Sequence, residues 1–198
     1  ITDYRSKNIG LFERSKTRPI QHQEFLNSDA TRKRYWARSF LAWPYISSAA
    51  PNYNHYKLSF LQNKGYLKHI ITQNVDFLHC KAGSSNVTEL HGCLNRIKCL
   101  SCGVKRCRFE FQLELSYLNS NWLYKSTEMQ VAPDGDVNVE DINFKDFKVP
   151  NCRNCNGILQ PGVVFFGDNV SSDVVNETVN VLEKSDSVLV LGSSLQVC

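Results

Sequence analysis

Lys68-His-Ile-Ile-Thr-Gln-Asn-Val-Asp76 is the stretch on which the fold turns. Its first half is a short β-branched run that reads as a buried strand, and its second half breaks at once into polar, turn-forming residues. The same grammar returns near the end of the chain. Asp173 to Lys184 carries Val174, Val175, Val179 and Leu182 at helical spacing, and Ser187-Val-Leu-Val-Leu191 then runs apolar into Gly192-Ser-Ser194. A near-continuous apolar run suits a strand covered on both faces of a parallel sheet. In an open α/β sheet, ligands bind beyond the carboxyl ends of the strands. Both polar segments, Gln73–Asp76 and Gly192–Ser194, stand at such ends, so the reading is an α/β fold with a nucleotide-sized site there.

Upstream, Phe25, Leu26, Tyr35, Trp36, Phe40 and Leu41 predict helices from Gln23 to Trp43, ended by Pro44. A further helix is predicted over His55 to Asn63, with Leu58 and Leu61 inward and Gly65 as its stop. Residues 1–20 are basic and turn-rich. Between Phe109 and Val149 the pattern is poor, apart from a turn at Pro133-Asp-Gly-Asp136.

Two cysteine pairs, Cys99-x-x-Cys102 and Cys152-x-x-Cys155, carry the clearest chemistry. Each turn brings two thiolates to one ion, and two turns complete a closed tetrahedral zinc site with no open position. Disulfides or free thiols are the alternative, and the spacing favours zinc. The 49 residues between the pairs make the metal a clasp on a long excursion rather than the core of a small finger. The remaining cysteines (Cys80, Cys93, Cys107 and Cys198) then read as free thiols of a reducing compartment.

At 198 residues and 42% hydrophobic, the chain can bury one substantial core with a smaller satellite. A net charge of only +4 gives no argument for nucleic acid, and the Arg32, Lys33, Arg34, Arg38 cluster reads as a solvated helix face. No apolar run approaches a membrane span. The sequons at Asn86, Asn169 and Asn176 are short enough to match by chance. The chain opens at Ile1 inside a motif and stops at Cys198 just after a strand, so it reads as a fragment.

His91, in Leu90-His91-Gly92, leads straight into the cysteine module. A histidine there is either a general base or a structural turn residue. His79 has a similar claim, whereas His22, His55 and His69 read as surface or packing residues. Asn74 and Asp76 either recognise a carboxamide and ribose hydroxyls or simply shape the turn. Val163-Val-Phe-Phe166 is an ordinary buried strand or the wall of an apolar channel.

Taken together these segments resemble the sirtuin family of NAD-dependent protein deacylases. Ile1-Thr-Asp-Tyr-Arg-Ser6 is similar to the end of its first nucleotide-binding motif. Thr72-Gln-Asn-Val-Asp-x-Leu-His79 with Ala82-Gly83 resembles its central signature, and Glu89-Leu-His-Gly92 its catalytic segment. The cysteine pairs and Gly192-Ser-Ser194 follow in the right order. Within the family, Arg18 to His22, Arg34 to Arg38, Ala132 to Asp136 and Val164 to Asp168 are most similar to the mitochondrial sirtuin-4 group, a class II branch.

The resemblance implies a Rossmann-like parallel sheet with helices on both faces, incomplete here, plus a small zinc-binding module of four cysteines. It implies residues 1–91 and 163–198 in the Rossmann-like lobe and 92–162 in the zinc module. NAD is the implied co-substrate, held by Asp3, Tyr4, Arg5, Gln73, Asn74, Val75, Asp76, Gly192, Ser193 and Ser194. His91 and Asn74 are the implied catalytic residues. An acyl-lysine pairs with Val163, Val164, Phe165 and Phe166 by backbone hydrogen bonds. Its acyl oxygen displaces nicotinamide, and His91 then takes a proton from the ribose hydroxyl, which attacks the alkylimidate. Nicotinamide, free lysine and acyl-ADP-ribose result, with long or lipoyl-type acyl groups favoured by likeness to the group.

The implied setting is the mitochondrial matrix, with acylated metabolic enzymes as substrates, no nucleic acid or membrane partner, and a monomer. Protein mono-ADP-ribosyl transfer and a zinc-stabilised binding module without turnover are the competing readings. The family's glycine-rich segment before Ile1 and everything after Cys198 are missing. This stretch alone is therefore expected to bind NAD poorly, with its cooperative folding in question.

Overall fold

A computed structural model describes residues 20–127, 143–193 and 195. The candidate residues Asp3, Tyr4, Arg5 and Ser194, and the turn at Pro133–Asp136, lie outside the described residues.

Helix α1 (His22–Asn27) is separated from α2 (Asp29–Ser48) by extended Ser28, whose Oγ accepts the Thr31 N–H at 3.1 Å and caps α2. Contrary to expectation, Pro44 does not end α2. Proline removes the N–H that the Phe40 carbonyl would accept, and Gln112 Nε2 donates to that carbonyl instead, at 2.9 Å. A partner from a distant helix therefore lets α2 run past its proline.

Helix α3 (Tyr53–Asn63) is capped by Asn52 and stopped at Gly65, where φ is 77°. Its inward residues are His55 and Ser59. Leu58 is only half-buried and Leu61 is exposed, against the expected pattern. The reason lies in what faces α3: the ring of His79 at 4.9 Å from His55, and Gly83 close to Ser59.

Strand β1 (Ile70–Thr72) pairs in parallel with β2 (Val87–Glu89), register Ile70 to Val87 and Thr72 to Glu89. The crossover contains α4 (Leu78–Lys81), as parallel pairing demands. Beyond β2 come β3 (Gly92–Cys99), β4 (Lys105–Cys107), α5 (Arg108–Leu118), a 3-10 helix (Ser120–Thr127) and β5 (Leu159–Val163). Strands β3, β4 and β5 form an antiparallel sheet in the order β4-β3-β5. Helix α5 falls in the stretch whose pattern looked poor. Its signal is a single i, i+4 pair, Phe111 and Leu115, both fully buried.

One core runs through Phe25 and Trp36 of the N-terminal helices, Phe111 and Leu115 of α5, and Ile97, Cys99, Cys152 and Leu159 of the cysteine module. The Trp36 indole N–H donates to the Leu159 carbonyl at 3.2 Å across this junction. Arg108 is fully enclosed there. Its guanidinium lies 4.6 Å from the Trp43 ring centroid and donates to Ser39 O and Oγ and to Gln112 Oε1. Burial lowers its pKa to about 10.

Helix α6 (Ser172–Glu183) agrees with expectation and docks on β2 through Thr88 Oγ1, which donates to Glu177 Oε1 at 3.0 Å. The predicted strand Ser187–Leu191 is not formed. It runs without a sheet partner among the described residues, and Val188, Leu189 and Leu191 are 63%, 75% and 63% exposed. A strand exists through its neighbours' ladder bonds, and none flanks this run. Among the described residues no helix is long and apolar enough to cross a membrane.

Candidate active site

His91 sits in the two-residue link between β2 and β3, and three backbone contacts fix it. Its carbonyl accepts the Val164 N–H at 2.9 Å, and its Nδ1 lies 3.1 Å from the Gln73 carbonyl. The adjacent Gly92, at φ 77°, brings its backbone against Gly162: a Cβ there would fall 2.0 Å from the Gly162 carbonyl oxygen. Only glycine allows this crossing. A carbonyl can only accept, so His91 Nδ1 carries the proton and a neutral ring keeps its lone pair at Nε2. That is the tautomer a general base needs.

The polar segment after β1 is fastened to the same place. Leu90 N–H donates to Thr72 O, Leu94 N–H to Val75 O, and Asn74 N–H to Thr72 Oγ1 at 3.1 Å. Asp76 Oδ1 accepts the Leu78 N–H at 2.9 Å and starts α4. Phe77 between them has φ 64°, an uncommon conformation for a bulky residue that turns the chain sharply off the strand end. Thr72, Asn74, Asp76, Leu78 and Glu89 line a narrow cleft here. The structure thus brings Gln73, Asn74, Val75, Asp76, His91 and Val164 together. Gly192 and Ser193 lie exposed, with Ser193 Oγ accepting the Leu195 N–H.

The expected Val163–Phe166 strand lies earlier in the chain than read: β5 runs Leu159–Val163 and shares only Val163 with it. Phe165 turns inward onto Phe25 and Tyr35, with ring centroids 5.0 and 5.2 Å away, while Phe166 faces out. Beyond β5 a clamp holds the chain: Gln21 bridges to Phe166 in parallel, His22 N–H donates to Phe166 O at 2.9 Å, and His22 Nδ1 lies 3.4 Å from Asp168 Oδ1. This clamp has no role in the sequence reading. Its two halves stand far apart in the chain, and nothing local in Gln21-His22 announces the pairing.

The four cysteines meet. All four Sγ atoms lie within 4.8 Å of one another, with Cys99 to Cys155 at 3.4 Å and Cys102 to Cys152 at 3.7 Å. A tetrahedron of sulfurs at the usual zinc–sulfur distance has edges of about 3.8 Å. The turns serve such an ion. Gly103 takes φ 71° in the first, and Gly157 must lack a side chain in the second because a Cβ would sit 2.3 Å from Ser101 Oγ. The Cys102 N–H lowers the Cys99 thiol to about 6. At Cys155 the Gly157 N–H also pulls down, but the surrounding thiols outweigh it and push the group up to about 12. Four thiolates cannot share this space unneutralised, and one zinc resolves the conflict.

His79 packs on His55, and burial followed by the His55 charge lowers its pKa. Burial raises both the Cys80 and Cys93 thiols, which makes them poor nucleophiles.

A parallel strand pair that ends in a polar loop, a histidine held beside that loop, and a four-cysteine clasp define a class: zinc-stabilised α/β proteins with a nucleotide-type strand-end site. The sequence profile of the Sir2 family matches residues 1–198, and the chain belongs to that family. It is 47% identical over 197 residues to the NAD-dependent protein lipoamidase sirtuin-4, mitochondrial, of Bos taurus and equally to that of Homo sapiens. It is 45% identical to the NAD-dependent protein deacylase Sirt4 of Drosophila melanogaster. All of this chain is covered in each case, and 62% of the relative, so it spans less than two thirds of their length.

Among solved structures, Sir2Tm bound to a propionylated peptide superposes with a TM-score of 0.65 at 28% identity, covering 89% of this chain and 61% of that one. A second, described as the structural basis of sirtuin substrate affinity, reaches 0.71 at 28% identity over 98% of this chain and 66% of its own. These likenesses agree with the expected Rossmann-like α/β fold and zinc module.

Proposed function

We propose that the protein containing this chain removes acyl groups from protein lysine side chains with consumption of NAD. One observation carries the reading: His91 Nδ1 is engaged by the Gln73 carbonyl while its own carbonyl accepts from Val164. The base, the nucleotide-facing loop and the acyl-lysine-facing segment are thereby coupled through two hydrogen bonds. Relatives named as a lipoamidase, deacylases and deacetylases support the chemistry, as does a neighbour holding a propionylated peptide.

In this reading NAD supplies an ADP-ribosyl electrophile whose leaving group is nicotinamide. Asn74 and Asp76 orient the carboxamide and ribose at the end of β1. Asp3, Tyr4, Arg5, Gly192, Ser193 and Ser194 complete the nucleotide contacts in the whole protein. The acyl-lysine backbone lies along Val163–Phe166, whose far end Gln21 and His22 hold. His91 Nε2 accepts the ribose hydroxyl proton, and Nδ1–H keeps its bond to Gln73 as the ring becomes cationic, which stabilises the charge.

The zinc stays structural, since four thiolates leave no open coordination position. Residues 1–91 and 163–198 act as the nucleotide lobe, and 92–162 as the zinc module that holds β3 behind His91. A mitochondrial location and a preference for long or lipoyl-type acyl groups follow the sirtuin-4 relatives.

The test is product analysis by mass spectrometry with the full-length protein, NAD and a panel of acyl-lysine peptides. Free lysine, nicotinamide and acyl-ADP-ribose, all lost on His91→Ala, are expected. A peptide made heavier by ADP-ribose would establish transfer to protein instead. No NAD consumption by folded, zinc-loaded protein would leave a binding module.

A further inference from the structure

Helix α3 presents an unusual outward face. At about 100° per residue, Tyr53, Tyr56, Lys57, Phe60 and Lys64 fall within a stripe about 100° wide. That stripe lies opposite His55 and Ser59, the residues turned to the body. A surface helix ordinarily shows polar residues on that side. Here Tyr53, Tyr56 and Phe60 are 71%, 52% and 51% exposed. Lys57 Nζ lies 5.0 Å from the Tyr53 centroid and 5.8 Å from that of Phe60, and Lys64 Nζ lies 5.7 Å from Phe60. Past the helix end Tyr66 is exposed, and Lys68 Nζ folds back to 3.9 Å from the Cβ position of Gly65.

Helix α3 and the chain on either side of it carry charge of one sign. From Ala30 to Val75 the chain contains no Asp or Glu. Lys57, Lys64 and Lys68 have no ion-pair partner among the described residues, since every salt bridge there uses other groups. A second copy of the chain is a poor occupant, because lysines would meet lysines with no carboxylate between them. The clefts beside Asp29 and Phe144 and beside Asp76 are lined by none of these residues. Amphipathic rings flanked by unpaired lysines match the headgroup zone of an anionic bilayer, where rings sit at the interface and ammonium groups meet phosphates.

We propose that the outward face of α3, with Tyr66 and Lys68, docks the protein reversibly on anionic phospholipid surfaces. The expectation of no membrane partner rested on the absence of a spanning segment, and a peripheral contact needs none. The acyl-lysine site and this face are separate, so the proposal does not depend on the enzymatic reading.

The experiment is co-sedimentation of the full-length protein with large vesicles of phosphatidylcholine, with and without phosphatidylglycerol. Binding to the anionic vesicles alone is expected, falling as salt rises. It should weaken at least tenfold in Lys57→Glu/Lys64→Glu, since each lysine near such a surface is worth about fivefold. A second variant, Tyr53→Ser/Phe60→Ser, should bind more weakly with its salt dependence kept. Both should retain wild-type turnover of a soluble acyl-lysine peptide, or wild-type thermal unfolding if no turnover is found. Absence of binding to anionic vesicles, or binding that both variants keep, would overturn the proposal. Capture by poly-glutamate with none by vesicles would also overturn it, in favour of an acidic protein partner.

Discussion

The cysteine-bearing side of the molecule and the strand-end side are built to different standards of closure. Around β3, α2 and α5, Trp36, Phe111, Leu115, Trp122 and Phe147 are completely or almost completely buried, and Arg108 is enclosed with them. Around β1, β2 and α6, no residue of α6 is buried, and the apolar run after it lies open. The first region draws its partners from an antiparallel sheet and a metal clasp, both of which close within this stretch. The second is a parallel pair, and parallel sheets are stable only when covered on both faces. His91 stands at the border: its ring leans on the open side through Gln73 and its chain continues into the closed one. In the proposed reaction the base is thus carried by the closed half and set beside the strand-end loop of the open one.

The strongest way to break this contrast is to remove the clasp. Cys152→Ala should forfeit most of a zinc-binding free energy on the order of 10 kcal/mol. Trp36 and Trp122, now sealed, should then show a red-shifted emission, and zinc should be absent by elemental analysis. Retained blue emission in a zinc-free variant would mean that the core closes without the metal.

Next come paired core and surface substitutions. Phe111→Ala should cost about 3–5 kcal/mol, whereas Leu189→Ser on the open side should stay within about 0.5 kcal/mol. Urea midpoints of both, at unchanged slope, measure the difference. Equal losses would erase the contrast.

A finer test separates the two knuckle glycines. Gly157→Ala forces a Cβ to 2.3 Å from Ser101 Oγ and 3.0 Å from Cys99 Sγ, costing about 2 kcal/mol by overpacking. Gly103→Ala meets open space and carries only the strain of φ 71°, about 1 kcal/mol. Adding Ser101→Gly should restore much of the first loss and none of the second, as thermal unfolding would show.

The smallest effect concerns pH. Burial, then the His55 charge, holds His79 below the ordinary histidine value of 6.5. The unfolded chain therefore takes up protons that the folded chain refuses. His79's contribution to stability is full above that value and is lost as pH falls below it. Between about pH 7.5 and 5.5 the urea midpoint should fall less steeply in His79→Gln than in the wild type. Identical slopes would remove His79 from the account.

What could be read in the chain beforehand follows the same division. The cysteine turns, the β1 loop and the His91 link are local patterns, and the structure places each as a turn or loop where it was read. Pro44 misled because the group that rescues its helix, Gln112, lies in another element. Leu58 and Leu61 misled because α3 faces a histidine and a glycine rather than an apolar wall. The 187–191 run misled because its apolar pattern describes a buried strand while no neighbour flanks it among the described residues. The clamp of Gln21 and His22 on Phe166 was invisible for a related reason: it joins segments that only the tertiary fold brings together.

The central claim is that His91 acts as a base after the bond to nicotinamide has broken. Single-turnover quench of full-length protein, with NAD labelled in the nicotinamide ring and an acyl-lysine peptide, separates the two steps. The account predicts that His91→Ala still releases nicotinamide while free lysine fails to form. Loss of both steps together, or formation of free lysine at the wild-type rate, would contradict it.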